Sequence, residues 1–347
     1  MALVVILMLG LYLLGKVMGA SQQARLLLPG FVLLAVLAIQ LTLPAGNPLK
    51  DATGGNLQNW LIVLGLAIAA LSYRAGLAKL RARHDASHAP VVETSDTFSE
   101  AELNRYARHI VLREVGGPGQ KKLKQSKVLV IGAGGLGSPA LQYLAAAGVG
   151  AIGIVDDDVV SVSNLQRQVI HRDEDIDRPK VHSAMDAILT QNPHVSVRPY
   201  QRRLDAQIAE DLFSDYDLVL DGTDNFETRY LVNAACVATR TPLVSAAITQ
   251  WEGQISLYDP ASDAPCYACV FPQAPAAELA PSCAEAGVIG ALPGVIGAMM
   301  AAEAIKHITG AGETLQNRLM IYDALYAETR VIAIQKRADC AVCGTGG

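Results

Sequence analysis

A six-residue glycine loop, Gly132-Ala133-Gly134-Gly135-Leu136-Gly137, separates a short β-branched run, Lys127 to Ile131, from a helical stretch, Ser138 to Ala147. Without Cβ atoms the loop backbone can approach a phosphate, and the helix that follows offers free N–H groups and a positive dipole end. A second apolar run, Ala151 to Val155, ends in Asp156-Asp157-Asp158. Asp156 thus stands about twenty residues past the loop, where a carboxylate can accept hydrogen bonds from a ribose. This order of parts indicates a nucleotide, with NAD as good a guess as ATP; a tight packing turn without a ligand is the bland alternative.

Further elements alternate in the same way. Ser99-Glu100-Ala101-Glu102 opens a helix with a capping residue and early acid. Beyond the loop the pattern predicts a strand over Asp217 to Leu220, a helix over Phe226 to Thr239, and strands over Pro242 to Ala246 and Gln254 to Tyr258. Strands separated by helices indicate a doubly wound sheet, and the strand-rich runs Ile255–Tyr258 and Leu319–Ala324 suggest an antiparallel addition.

Residues after Asp156 favour ATP over NAD. Asn164-Leu165-Gln166-Arg167-Gln168 and Lys180 supply amides and two cations, which suit a triphosphate and are not needed by a nicotinamide ring. Gly222-Thr223-Asp224-Asn225 follows a strand, at the sheet edge where such folds bind ligands, and Asp224 there could hold Mg²⁺. Any one of these residues could be an ordinary surface charge; their order argues otherwise.

Two CxxC pairs, Cys266/Cys269 and Cys340/Cys343, offer four thiolates suited to tetrahedral Zn²⁺. The long gap between them means such a metal would pin the C-terminal tail to the sheet domain. Cys236 lies in an apolar helical stretch and reads as a buried small hydrophobe. Cys283 stands alone in a loop before a helix, either a nucleophile or inert.

The N-terminal region is of different composition. Over all 347 residues, 51% are hydrophobic and 18% charged, which excludes a disordered chain and is oilier than an ordinary globular domain. The excess lies in three stretches, about 1–20, 26–44 and 57–73, each near the length of a membrane span. A cleaved signal peptide is disfavoured for the first, because no basic residue precedes it and two more apolar stretches follow. The hydropathy of the three stretches predicts two or three transmembrane helices, and the basic cluster Arg74, Lys79, Arg81 and Arg83 predicts that everything after Tyr73 lies in the cytoplasm at the inner membrane. Residues 74–98 read as a linker and 99–347 as the catalytic domain. The first 90 residues hold seven Lys/Arg against two Asp/Glu, leaving 21 against 31 for the remainder. That local excess of acid disfavours a nucleic-acid partner.

From about residue 99 to 344 the sequence closely resembles the MoeB/ThiF/HesA family, bacterial relatives of ubiquitin-activating enzymes, and within it the molybdopterin-synthase adenylyltransferases. The match begins at Arg105-Tyr106-Ala107-Arg108-His109-Ile110. It runs through the glycine loop, Asp156, Ser163-Asn164-Leu165-Gln166-Arg167-Gln168, Lys180, DGTDN and EGQI, and ends at both CxxC pairs. The resemblance implies a Rossmann-like α/β fold and MgATP-dependent adenylation of the C-terminal Gly-Gly carboxylate of a small ubiquitin-fold sulfur carrier (MoaD-like or ThiS-like). It assigns Gly132, Gly134, Gly135 and Gly137 to the phosphate loop and Asp156 to the ribose. Ser163, Asn164, Leu165, Gln166, Arg167 and Lys180 would line or stabilise the phosphates, and Asp224 with Asn225 would serve Mg²⁺ and catalysis. Arg108 would reach a neighbouring subunit's ATP site, implying a homodimer, and Cys283 matches a cysteine that bonds the carrier in some relatives. The four CxxC cysteines match a structural zinc. A tRNA-modifying carboxylate-activating relative and a non-catalytic membrane docking module for carriers are the alternatives, with an NAD oxidoreductase last.

Overall fold

The apolar N-terminal helices pack on one another. The computed structural model describes residues 1–17, 22–44, 46–54, 56–65, 72–73, 97–275 and 286–344, and the chain divides into two compact units, Met1–His88 and Ala89–Gly347. The first unit holds α1 (Ala2–Val17), α2 (Gln22–Thr42) and a short α3 (Pro48–Thr53); residues 57–65 are helical as well. Trp60 is fully buried with Val36 and Leu37, against Met1, Val4, Val5 and Met8. Polar groups close this cluster: Trp60 Nε1 donates to the Gly54 carbonyl at 2.9 Å, and buried Gln40 donates to Thr53 Oγ1 at 2.8 Å.

This arrangement corrects the expectation of a membrane anchor and of an inner-membrane location. Among the described residues no helix is long and apolar enough to cross a membrane. With 16 residues α1 rises about 24 Å, short of a hydrocarbon core of about 30 Å. Pro29 lies inside α2, where it removes one backbone donor, and buried Gln40 near the helix end binds the polar segment beyond it. Of the third stretch, residues 66–71 lie outside the described residues, as do residues 74–96 of the expected linker.

In the second unit a complete capping box starts α4 (Glu100–Ile110): Ser99 Oγ accepts from Glu102 N–H, and the Glu102 carboxylate accepts from Ser99 N–H at 2.8 Å. Then follow α5 (Gly116–Gln125), β1 (Lys127–Ile131), α6 (Gly137–Ala147), β2 (Ala151–Val155), α7 (Lys180–Gln191) and β3 (Ser196–Tyr200). Next come α8 (Ala206–Ser214), β4 (Leu218–Asp221), α9 (Phe226–Thr239), β5 (Leu243–Ile248), β6 (Glu252–Tyr258) and the one-turn α10 (Tyr267–Val270). A long α11 (Ala291–Thr309) precedes β7 (Arg318–Asp323) and β8 (Glu328–Ala333).

The strands form one mixed sheet of order β3-β2-β1-β4-β5-β6-β7-β8, parallel from β3 to β5 and antiparallel from β5 onward. Alternation along the central strands sorts side chains to two faces. Val128, Val130, Ile152 and Ile154 meet Leu141, Leu144, Ile188 and Ile296 from α6, α7 and α11. Leu129, Ile131 and Val219 meet Phe213, Val232 and Ala235 from α8 and α9. Each large side chain so buried stabilises by about 1.5–3 kcal/mol. Strand order reverses between β1 and β4, so the carboxyl ends of β1, β2 and β4 open a crevice there.

Candidate functional site

The glycine loop leaves β1 into that crevice. Gly132 takes φ +91°, a left-handed conformation open to glycine, and Gly132 N–H still bonds the Val155 carbonyl at 2.8 Å. A Cβ on Gly137, the first residue of α6, would collide with the Gly132 carbonyl, so the turn is tight enough to require glycine. No side chain caps α6, although its Ser138 N–H already donates to the Gly134 carbonyl at 2.9 Å, so the helix start presents its dipole end and the glycine-loop amides before it to a ligand.

Residues distant in sequence clamp the loop from both sides. Asp156 Oδ2 accepts from Ala133 N–H at 2.7 Å, and Oδ1 accepts from Asp158 N–H at 2.8 Å. Burial pushes the Asp156 carboxyl above the usual carboxylate range, against the pull of Lys180 and these two amides. Each oxygen keeps a second lone pair for a ribose hydroxyl. On the other side, buried His171 bridges the Ala133 carbonyl (Nε2, 2.9 Å) and Ser183 Oγ (Nδ1, 2.8 Å).

Two cations approach the same space. Lys180, 3% exposed at the start of α7, places Nζ 2.7 Å from Asp158 Oδ2. Arg167 is braced by the Ser163 carbonyl at 3.1 Å and Asn164 Oδ1 at 3.0 Å. From the end of β4, Asp224 is exposed while Asn225 caps α9, its Oδ1 accepting from Thr228 N–H at 2.9 Å. Buried Asp221 anchors this turn: Oδ1 accepts from Thr223 N–H (3.0 Å) and Thr223 Oγ1 (2.6 Å), and Oδ2 from Ser245 Oγ (3.3 Å).

A cavity of about 700 Å³ joins these parts, with Gly132, Gly134, Gly135, Asp156, Arg167, Lys180, Asp224 and Asn225 in its wall. Gly137 lies behind the wall, and Ser163 and Asn164 act through Arg167. Leu165 and Gln166 are not part of the lining, though Gln166 abuts Gly290. Arg108 is exposed on α4 and does not line the cavity; Cys283 lies outside the described residues. The cavity also contains Gln168 of the same motif, and residues that the motifs did not single out: Arg202, Arg203, Arg229 and Tyr267. An arginine pair directly after a strand was the available signal for Arg202 and Arg203, but β3 itself was not read from the sequence.

The two CxxC pairs converge at a second place. Sγ atoms lie 3.9 Å apart for Cys266–Cys269, 3.7 Å for Cys266–Cys340 and 3.4 Å for Cys269–Cys343. Four sulfurs around Zn²⁺ at tetrahedral bond lengths would be about 3.8 Å apart, so the donor set fits. Asn233 Nδ2 and Arg337 N–H point at Cys266 and Cys269 sulfurs, at 3.7 and 3.4 Å, the kind of outer support that favours thiolates. Cys236 is buried elsewhere, on the inner side of α9, where burial pushes its thiol well up.

Comparison with known proteins agrees with this geometry. The ThiF family model matches residues 106–342. The "SAMP-activating enzyme E1" of Haloferax volcanii is 48% identical over 251 residues, covering 72% of this chain and 92% of the relative. The "Sulfur carrier protein adenylyltransferase" of Thermus thermophilus is 47% identical, covering 71% and 93%. Among solved structures, E. coli MccB with MccA-N7isoASN superposes with a TM-score of 0.62 at 24% identity, over 71% of this chain and 76% of that one, a likeness of fold.

Proposed function

Since the chain belongs to the ThiF family, we propose that it adenylates the C-terminal Gly-Gly carboxylate of a small ubiquitin-fold sulfur-carrier protein with ATP, releasing pyrophosphate. The observation that carries this reading is the single crevice holding an uncapped helix start, Arg167, Lys180 and the exposed carboxylate of Asp224. The name of the Thermus thermophilus relative, a sulfur carrier protein adenylyltransferase, points to the same substrate class.

The chemistry needs little besides charge control. A carboxylate oxygen of the carrier forms a bond to the α-phosphorus. The bond from that phosphorus to the bridging oxygen breaks, and pyrophosphate leaves with the electron pair. No proton moves, so no general base is needed. The barrier is the approach of two anions, which the loop amides, Arg167 and Lys180 lower by holding the phosphates and neutralising them. Asp224 would hold Mg²⁺, which adds positive charge at the phosphates. Cys266, Cys269, Cys340 and Cys343 would hold Zn²⁺ in a structural role, and exposed Arg108 is free to serve a second copy of the chain in a homodimer.

ATP–pyrophosphate exchange tests the reading. Exchange is expected only with an added ubiquitin-fold carrier that ends in Gly-Gly, and Asp224→Ala is expected to abolish it while the melting temperature stays within about 2 °C. Exchange unaffected by deletion of the carrier's tail would reject the substrate, and full activity in Asp224→Ala would remove that residue from the mechanism.

A further inference from the structure

Arg229 is a buried cation with an unused donor in the wall of the cavity. It is 5% exposed; Nη2 donates to the Thr223 carbonyl, whereas Nη1 has no hydrogen-bond partner. Its guanidinium enters none of the ion pairs among the described residues. Asp221, the buried carboxylate at the end of β4, is committed to Thr223 and Ser245. A guanidinium taken out of water without a carboxylate to pair with is disfavoured, so a site that keeps one suits an incoming anion.

The location says which anion. The phosphate cradle stands at the start of α6, on the sheet face covered by α6, α7 and α11, and has its own cations in Arg167 and Lys180. Arg229 comes from α9 on the opposite face and shares its stretch of wall with Tyr267. Burial pushes the Tyr267 phenol up to about 12, and the neighbouring guanidinium opposes the rise. By its Nη2 bond Arg229 also holds the residue immediately before Asp224. Arg202 and Arg203, also in the wall, are paired with Asp205 and Glu227, so the reactant anion left for Arg229 is the substrate carboxylate.

We infer that Arg229 receives the C-terminal carboxylate of the acyl substrate with its guanidinium and holds it beside the Asp224 turn until it attacks. This rests on the adenylation reading above. When the acyl adenylate forms, the carboxylate loses its charge, which then departs with pyrophosphate, so the grip loosens as the product appears. Such a contact acts on the bound ground state and therefore sets the carrier concentration required more than the maximal rate.

Exchange kinetics in the full chain, with the carrier that supports exchange, test this. In Arg229→Gln the carrier concentration for half-maximal exchange should rise roughly 10- to 100-fold, the range for a lost hydrogen bond to a charged group. The ATP concentration for half-maximal exchange should stay within about twofold, with Arg229→Lys between the two. Unchanged carrier dependence, or an equal loss for ATP, overturns the inference. A second measurement avoids any folding defect in the variants. With the unaltered chain, a carrier ending in a C-terminal carboxamide should compete at least about tenfold more weakly than the free acid, and equal competition overturns the inference. Absence of exchange with every Gly-Gly carrier would instead sink the adenylation reading itself.

Discussion

His171 shows how much of the site depends on single buried side chains. It ties the glycine loop to α7 through the Ala133 carbonyl and Ser183, and Ser183 in turn bonds Asp175 at 2.9 Å. Burial holds its imidazole below the ordinary value of 6.5. The unfolded chain therefore binds this proton more readily than the folded one. The neutral form's contribution to stability is complete above about 6.5 and is lost as pH falls from there through the lowered folded value. Thermal melts between pH 8 and 5 should show a decline that His171→Gln flattens; an identical decline in that variant would assign it to other groups. Asp156, Lys180 and Asp224 were legible as charges placed after strands. That Asp156 also grips the loop backbone was not, because a hydrogen bond to Ala133 N–H leaves no mark on residue type.

At the scale of elements, the strand–loop–helix unit over 127–147 was the most readable part, since its signals are local: β-branched residues, then glycines, then helix formers. Its weak point is the approach of Gly137 to the Gly132 carbonyl. Gly137→Ala should cost about 1–3 kcal/mol and lower ATP affinity, measured by urea unfolding and nucleotide titration. Stability and affinity both equal to those of the unaltered chain would mean that the loop is not packed as described. The edge strands were harder to read. β3 contains Arg198 and Pro199, and every residue of β8 is exposed. Without a buried face there is no apolar alternation to detect, and proline fits an edge because its missing N–H faces away from the ladder. Arg202 and Arg203 went unnoticed for the same reason.

For the whole molecule, the four thiols join residues 74 apart, so a metal there would tie the C-terminal tail to the start of α10. One zinc per chain is expected by elemental analysis. Cys340→Ser should lose the metal and melt several degrees lower, about 2–4 °C for each kcal/mol lost, while Cys236→Ala should retain it. Metal retained in Cys340→Ser would exclude that thiol as a ligand. Hydropathy misjudged the N-terminal unit at this same scale. It adds up transfer energies along the chain and cannot tell whether an apolar face meets lipid or another helix. Here Trp60, Val36 and Leu37 meet Met1, Val4 and Val5.

Sequence alone determined the parts whose physics is contained in a few neighbouring residues: the glycine loop, the acid at the end of the second strand, the paired CxxC motifs and, through their order, the family. Tertiary structure decided which side chains share the crevice. The reason is that these contacts join residues from opposite faces of a doubly wound sheet. Arg229 finds its place beside Thr223 and Tyr267 only after the sheet has closed around it.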